Sequence, residues 1–162
     1  MLSRLFPRTI DNEYQGHVLA LWLFVPILLL KTVMGFNVAG LNPWVTSRYI
    51  LQTADGVPVE SFSAYGASVV VFMFASWGLG LLILALLSIV ALIRYRRMLP
   101  LMILAVTLEQ VGRKGIALIN PILSTGDGQV SAGFWINWGF SAALVLSLAL
   151  SLLKVEKAPA HG

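Results

Sequence analysis

Glu109, Gln110, Arg113 and Lys114 lie within six positions of one another in LMILAVTLEQVGRKGIALIN, an otherwise apolar stretch from Leu101 to Asn120. An acid beside two bases supports a small set of chemistries. Glu109 and Arg113 stand four residues apart, so on a helix they can pair. A carboxylate at bilayer depth can carry a proton. It can also act as a general acid or base, its pKa set by desolvation and by neighbouring cations. A surplus of positive charge can hold an anion, such as a phospholipid headgroup or a carboxylate. Lys31, in another apolar stretch, raises the count to three bases against one acid.

Helical spacing gathers these groups. At about 100° per residue, Thr107, Glu109, Gln110, Arg113 and Lys114 occupy less than half of one helix circumference. The cost of the arrangement shows that it needs neighbours. A central Arg or Lys costs about 2.5–3.5 kcal/mol to insert, whereas a Leu or Ile returns only about 0.3–0.6 kcal/mol. A helix with these charges should stay in lipid only when other helices shelter it. The plainer alternative is that Lys31, Arg113 and Lys114 reach back to the interface and do nothing more. Glu109, about three turns from either end of its segment, is harder to explain in that way.

The elements that position these residues are membrane spans. Of 162 residues, 58% are hydrophobic and 11% charged, and the mean hydropathy is +0.85. A soluble domain carries about a quarter charged residues. There is no cysteine, which excludes disulfides, thiolate metal sites and cysteine nucleophiles. His17 and His161 are the two histidines, and His161 is in the tail, so no cofactor or metal is expected.

Four spans are predicted, at about 17–38, 66–93, 98–120 and 133–153, forming one transmembrane domain over 1–162. Residues 1–15 read either as a short surface anchor or as a disordered tail. Span 1 lacks the cleavage pattern of a signal peptide and is read as retained. Along it His17, Phe24, Lys31 and Gly35 share a stripe assigned to the bundle interior. Asn42-Pro43, in the outer loop 39–62, resembles a helix start with Asn as cap, leading into a short interfacial helix. Span 2 offers one small pair, Ser76 and Gly80. Asn120-Pro121 ends span 3. Span 4 opens on Phe134, Trp135 and Trp138, an aromatic interface belt. The row Trp135, Gly139, Ala143, Ser147 and Ser151 then recurs every four residues as a packing seam.

Charge placement orients the chain. Arg4, Arg8, Arg94, Arg96, Arg97, Lys154 and Lys157 fall on one side, against Arg48 on the other, beside Asp55, Glu60 and Asp127. This bias puts both termini in the cytoplasm. It also explains the net charge of +4 without a nucleic acid partner. Spans 1 and 3 then run in the same direction. At about 1.5 Å per residue, Lys31 and Arg113 lie roughly 21 and 22 Å from the starts of their spans.

The fold expected is therefore all-α: a polytopic membrane protein with four transmembrane helices in an antiparallel bundle. The chain has no phosphate loop, metal-ligand cluster, Gly-x-Ser-x-Gly or HExxH. Paired-carboxylate chemistry lacks a second acid in the lipid region. The favoured function is a small binding or accessory protein of a bacterial-type inner membrane. Lys31, Arg113 and Lys114 would hold an anionic amphiphile or lipid headgroup, with Glu109 and Gln110 setting the geometry. Three other roles stay open: a transporter or proton-coupled subunit using Glu109; a lipid-modifying enzyme with Glu109 as general acid or base, for which a second catalytic group is missing; and a structural subunit that meets a membrane-protein partner or a second copy through span 4.

Overall fold

The computed structural model describes residues 2–7, 9–121 and 132–153. Arg8, Asp127, Lys154, Lys157 and His161 lie outside the described residues, as do the 122–131 loop and the Phe134 side chain. The elements are α1 (Leu2–Leu5), α2 (Val18–Val38), α3 (Ser47–Thr53), α4 (Ala64–Arg94), α5 (Leu99–Ile119) and α6 (Ala132–Leu152). Single 3-10 turns lie at Val59–Ser61 and Arg96–Met98, and no strand occurs among the described residues. The protein is thus all-α.

Three helices are long and apolar enough to cross a membrane: α2, α4, and α6 over Trp135–Leu152. At 21 residues α5 has the length. It falls outside this set because every crossing-length stretch within it contains Glu109, Arg113 and Lys114. Pro100 sits in its first turn, where no amide donor is needed. Asn120 closes it by donating its N–H to the Ile116 carbonyl at 2.8 Å.

Two compact units divide the chain, one formed by the described residues up to Ile27 and from Ser88 onward, the other by Leu28–Leu87. In the second unit α2 and α4 meet through two glycines. A Cβ on Gly35 would fall 2.8 Å from the Leu82 backbone nitrogen, and one on Gly78 would fall 2.6 Å from that of Ala39. Bare hydrogens at these points let the two backbones approach closely. The expected small pair, Ser76 and Gly80, is exposed instead, and open space surrounds Gly80. Of the α2 stripe, Phe24, Lys31 and Gly35 are buried and His17 is half-buried.

The 39–62 loop packs on the start of α4 in a small core of Leu51, Val59 and Ala67, with Val57, Val70, Val71 and Phe74 against it. Gly40, at φ +72°, makes the turn out of α2. The short helix α3 starts later than Asn42-Pro43 implies. Asn42 Nδ2 donates to Asn37 Oδ1 at 2.8 Å, and its Oδ1 accepts from the Trp44 amide at 3.0 Å, so the pair forms a turn. The cap is Thr46, whose Oγ1 accepts from the Tyr49 amide at 3.2 Å. Arg48 and Gln52 both reach Glu60, at 3.0 and 2.9 Å. The Gln52 hydrogen bond first, then Arg48, holds the Glu60 carboxyl below its ordinary range.

In the first unit α5 packs along α6, and α1 meets the start of α5. The N-terminal segment forms a strap across the helix ends. Arg4 donates to the carbonyls of Leu152, the last residue of α6, and of Leu153 just after it. Arg97 forms an ion pair with Asp11, and its amide donates to the Asp11 carbonyl at 3.3 Å. The His17 amide donates to the Leu150 carbonyl at 3.2 Å. Nearby, burial pushes the Tyr14 hydroxyl up to about 12. Further along, Ser147 Oγ donates to the Ala20 carbonyl at 2.8 Å, joining α6 to α2.

A polar ladder between two helices as the candidate binding site

The face of α5 toward α6 is polar by turns. The buried side chains of α5 are Leu99, Pro100, Ile103, Val106, Thr107 and Gln110, a set that recurs about once per turn. Thr107 Oγ1 donates to the Ile103 carbonyl at 2.6 Å, one turn back, and lies 3.5 Å from the Leu144 carbonyl of α6. One turn on, Gln110 Nε2 donates to Asn137 Oδ1 of α6 at 2.7 Å. Gln110 is 3% exposed, and a primary amide at that burial must find partners.

Gln110 also joins Asn137 to the charged groups. With its Nε2 turned to Asn137, its Oε1 faces Arg113 and accepts from Nη2 at 2.9 Å. Glu109 Oε1 lies 2.7 Å from Arg113 Nε, an ion pair across one turn. Arg113 is therefore held from its own helix by one hydrogen bond, to Gln110, and one ion pair, with Glu109. Such contacts fix the plane of a guanidinium, whose donors are rigidly arranged. The pair is partly sheltered, with side-chain exposures of 35% for Arg113 and 18% for Glu109.

Lys114 takes a different partner. Its ammonium lies 4.1 Å from the centre of the Trp138 ring, close enough for a cation–π contact. The result is two adjacent cations at one level, each oriented by an uncharged or oppositely charged group. Beyond them, residues 115–119 of α5 are exposed, as are Trp135 and Trp138.

The predicted residues divide as follows. Glu109, Gln110, Arg113 and Lys114 come together on α5. Lys31, 5% exposed, belongs to the buried stripe of α2 in the other unit. Of the predicted seam of α6, Ser147 and Ser151 are buried, Ala143 is half-buried and Gly139 is exposed with open space around it. The buried row runs through Ser141, Leu144, Ser147 and Ser151 instead. Asn137 was not singled out by sequence reasoning, although a lone amide four residues before Ser141 in an apolar segment was a usable signal. Among the described residues no group of three His, Asp or Glu side chains is placed to hold a metal.

Comparison with protein-family models, curated proteins and solved structures finds no match to this chain.

Proposed function

We propose that this is a small four-span protein of a bacterial-type inner membrane, with both termini cytoplasmic, that binds an anionic amphiphile or lipid headgroup through Arg113 and Lys114. One observation carries the reading: Glu109 and Gln110 both hold Arg113, beside a Lys114 seated on Trp138. A binding site gains affinity when its groups are oriented before the ligand arrives. Three ionisable groups enter the count and one pair cancels, leaving a cation to be matched by a ligand. The ion pair and the Gln110–Asn137 bond also offset part of the cost of holding α5 in lipid as the fourth span. Engagement of Glu109 with Arg113 favours a positioning role over proton carriage or general acid–base work.

The test is lipid retention. The protein is purified with Arg113→Gln plus Lys114→Met, and bound phospholipid is measured against the unaltered chain. Loss of anionic lipid with unchanged zwitterionic lipid is the expected result. Equal anionic lipid in both preparations would dispose of the reading. Arg113→Gln takes away the ion-pair partner of Glu109, so a variant that also carries Glu109→Gln, in which no charge of the pair is stranded, is measured beside it.

A second reading draws on the exposed Gly139 and half-buried Ala143 on α6. They leave a small-residue face on which another helix could pack, as in a subunit of a larger membrane complex. Photo-crosslinking from Ala143 to a foreign chain would favour it.

A further inference from the structure

We propose that Glu109 sets the charge of the ligand, so that the α5–α6 site takes an amphiphile with a singly charged oxyanion headgroup, a phosphodiester, in preference to a doubly charged phosphomonoester. This rests on the reading of Arg113 and Lys114 as the binding cations.

The apolar segments of the first unit contain few charges. Residues 18–27 of α2 and the whole of α6 have none, and α5 has Glu109, Arg113 and Lys114 alone. Glu109 is committed to Arg113 at 2.7 Å. Among the described residues the cluster therefore presents one net positive charge. Lys114, on the neutral Trp138 ring, has its charge screened but not cancelled. In a medium of low dielectric an unmatched charge is expensive, so the favoured complex is the one whose sum is zero. A singly charged phosphodiester meets that condition. A dianion leaves one negative charge over and competes with Glu109 for Arg113. Glu109 thereby acts as a specificity-determining residue: it orients Arg113 and subtracts one unit from the site.

The amphiphile part of the assignment comes from the surroundings. In the proposed orientation Leu108 on α5 and Val145 and Leu146 on α6, all more than half exposed, lie on the midplane side of the two cations. A headgroup at Arg113 and Lys114 has apolar surface next to it on both helices for its hydrocarbon.

The experiment uses the full chain in nanodiscs of phosphatidylcholine doped with phosphatidylglycerol or phosphatidic acid, at a pH where phosphorus NMR of the nanodiscs shows the monoester doubly ionised. The quantity read is the ratio of the two affinities. The unaltered chain favours phosphatidylglycerol. Glu109→Gln raises the site to two positive charges and shifts the ratio toward phosphatidic acid by on the order of tenfold. Lys114→Gln lowers it to zero and moves the ratio in the opposite direction, which decides the matter if the first variant does not fold. A ratio unmoved by either substitution overturns the proposal. Competition by soluble glycerophosphate at equal concentration overturns the amphiphile assignment. If Arg113→Gln plus Lys114→Met leaves all lipid binding intact, the parent reading falls instead, so the two failures are distinct.

Discussion

Gln110 of α5 and Asn137 of α6 share a hydrogen bond of 2.7 Å, and through it the position of Arg113 depends on a residue of another helix. The Gln110 amide has a donor end and an acceptor end. Asn137 takes the donor, and the acceptor is thereby turned toward Arg113. One side chain, Gln110, thus both ties the two helices together and orients Arg113.

Asn137→Leu should therefore destabilise the protein by about 1–3 kcal/mol, the cost of stranding one buried polar group. Gln110→Leu together with Asn137→Leu should cost less than the sum of the two single changes, because neither partner is then left alone. Thermal unfolding in detergent for the two singles and the double measures this. Strict additivity would mean that the amides are not coupled.

Gly78→Ala should destabilise by about 1–3 kcal/mol, because the added Cβ would lie 2.6 Å from the Ala39 nitrogen, just past the end of α2. Gly80→Ala, two positions on and in open space, should be neutral or stabilise by up to about 1 kcal/mol. Opposite signs for substitutions so close in sequence are the discriminating outcome, read as melting temperatures.

The strap should loosen in acid. The Glu13 amide first, then Arg97, hold the Asp11 carboxyl below its ordinary value of 3.8. A carboxyl lowered in the folded state stabilises above its unfolded value and loses that contribution as pH falls through the folded one. Hydrogen exchange in residues 9–17, corrected for intrinsic rates, should rise below the ordinary carboxylate range. Asp11→Asn should raise it already at pH 7. Protection unchanged in that variant would show that the Asp11–Arg97 pair does not hold the strap.

The absence of cysteine makes topology directly testable by single-cysteine labelling. Asp55→Cys and Asn120→Cys should react with an impermeant reagent from outside, and Arg96→Cys only after the inner face is opened. An Asn120→Cys protected from outside would mean that α5 does not cross, and the four-span arrangement would be lost.

Much of this was legible in the residues themselves. Long apolar runs dictated helices of crossing length, since a chain in lipid must satisfy its own backbone hydrogen bonds. The period of 3.6 placed Phe24, Lys31 and Gly35 on one stripe and Glu109, Gln110, Arg113 and Lys114 on one face, because both are properties of a single helix. The pairing of Glu109 with Arg113 was visible for the same reason. What tertiary structure decided is every relation between helices. It selected Gly78 rather than Gly80 as the point of close approach, and offset the buried row of α6 to Ser141 and Leu144. It turned Asn42 into a turn rather than a cap, and brought Asn137 to Gln110. Spacing along one chain fixes which side chains share a face. Which face meets another helix, and at what height, depends on how two surfaces interlock, and no single segment contains that information.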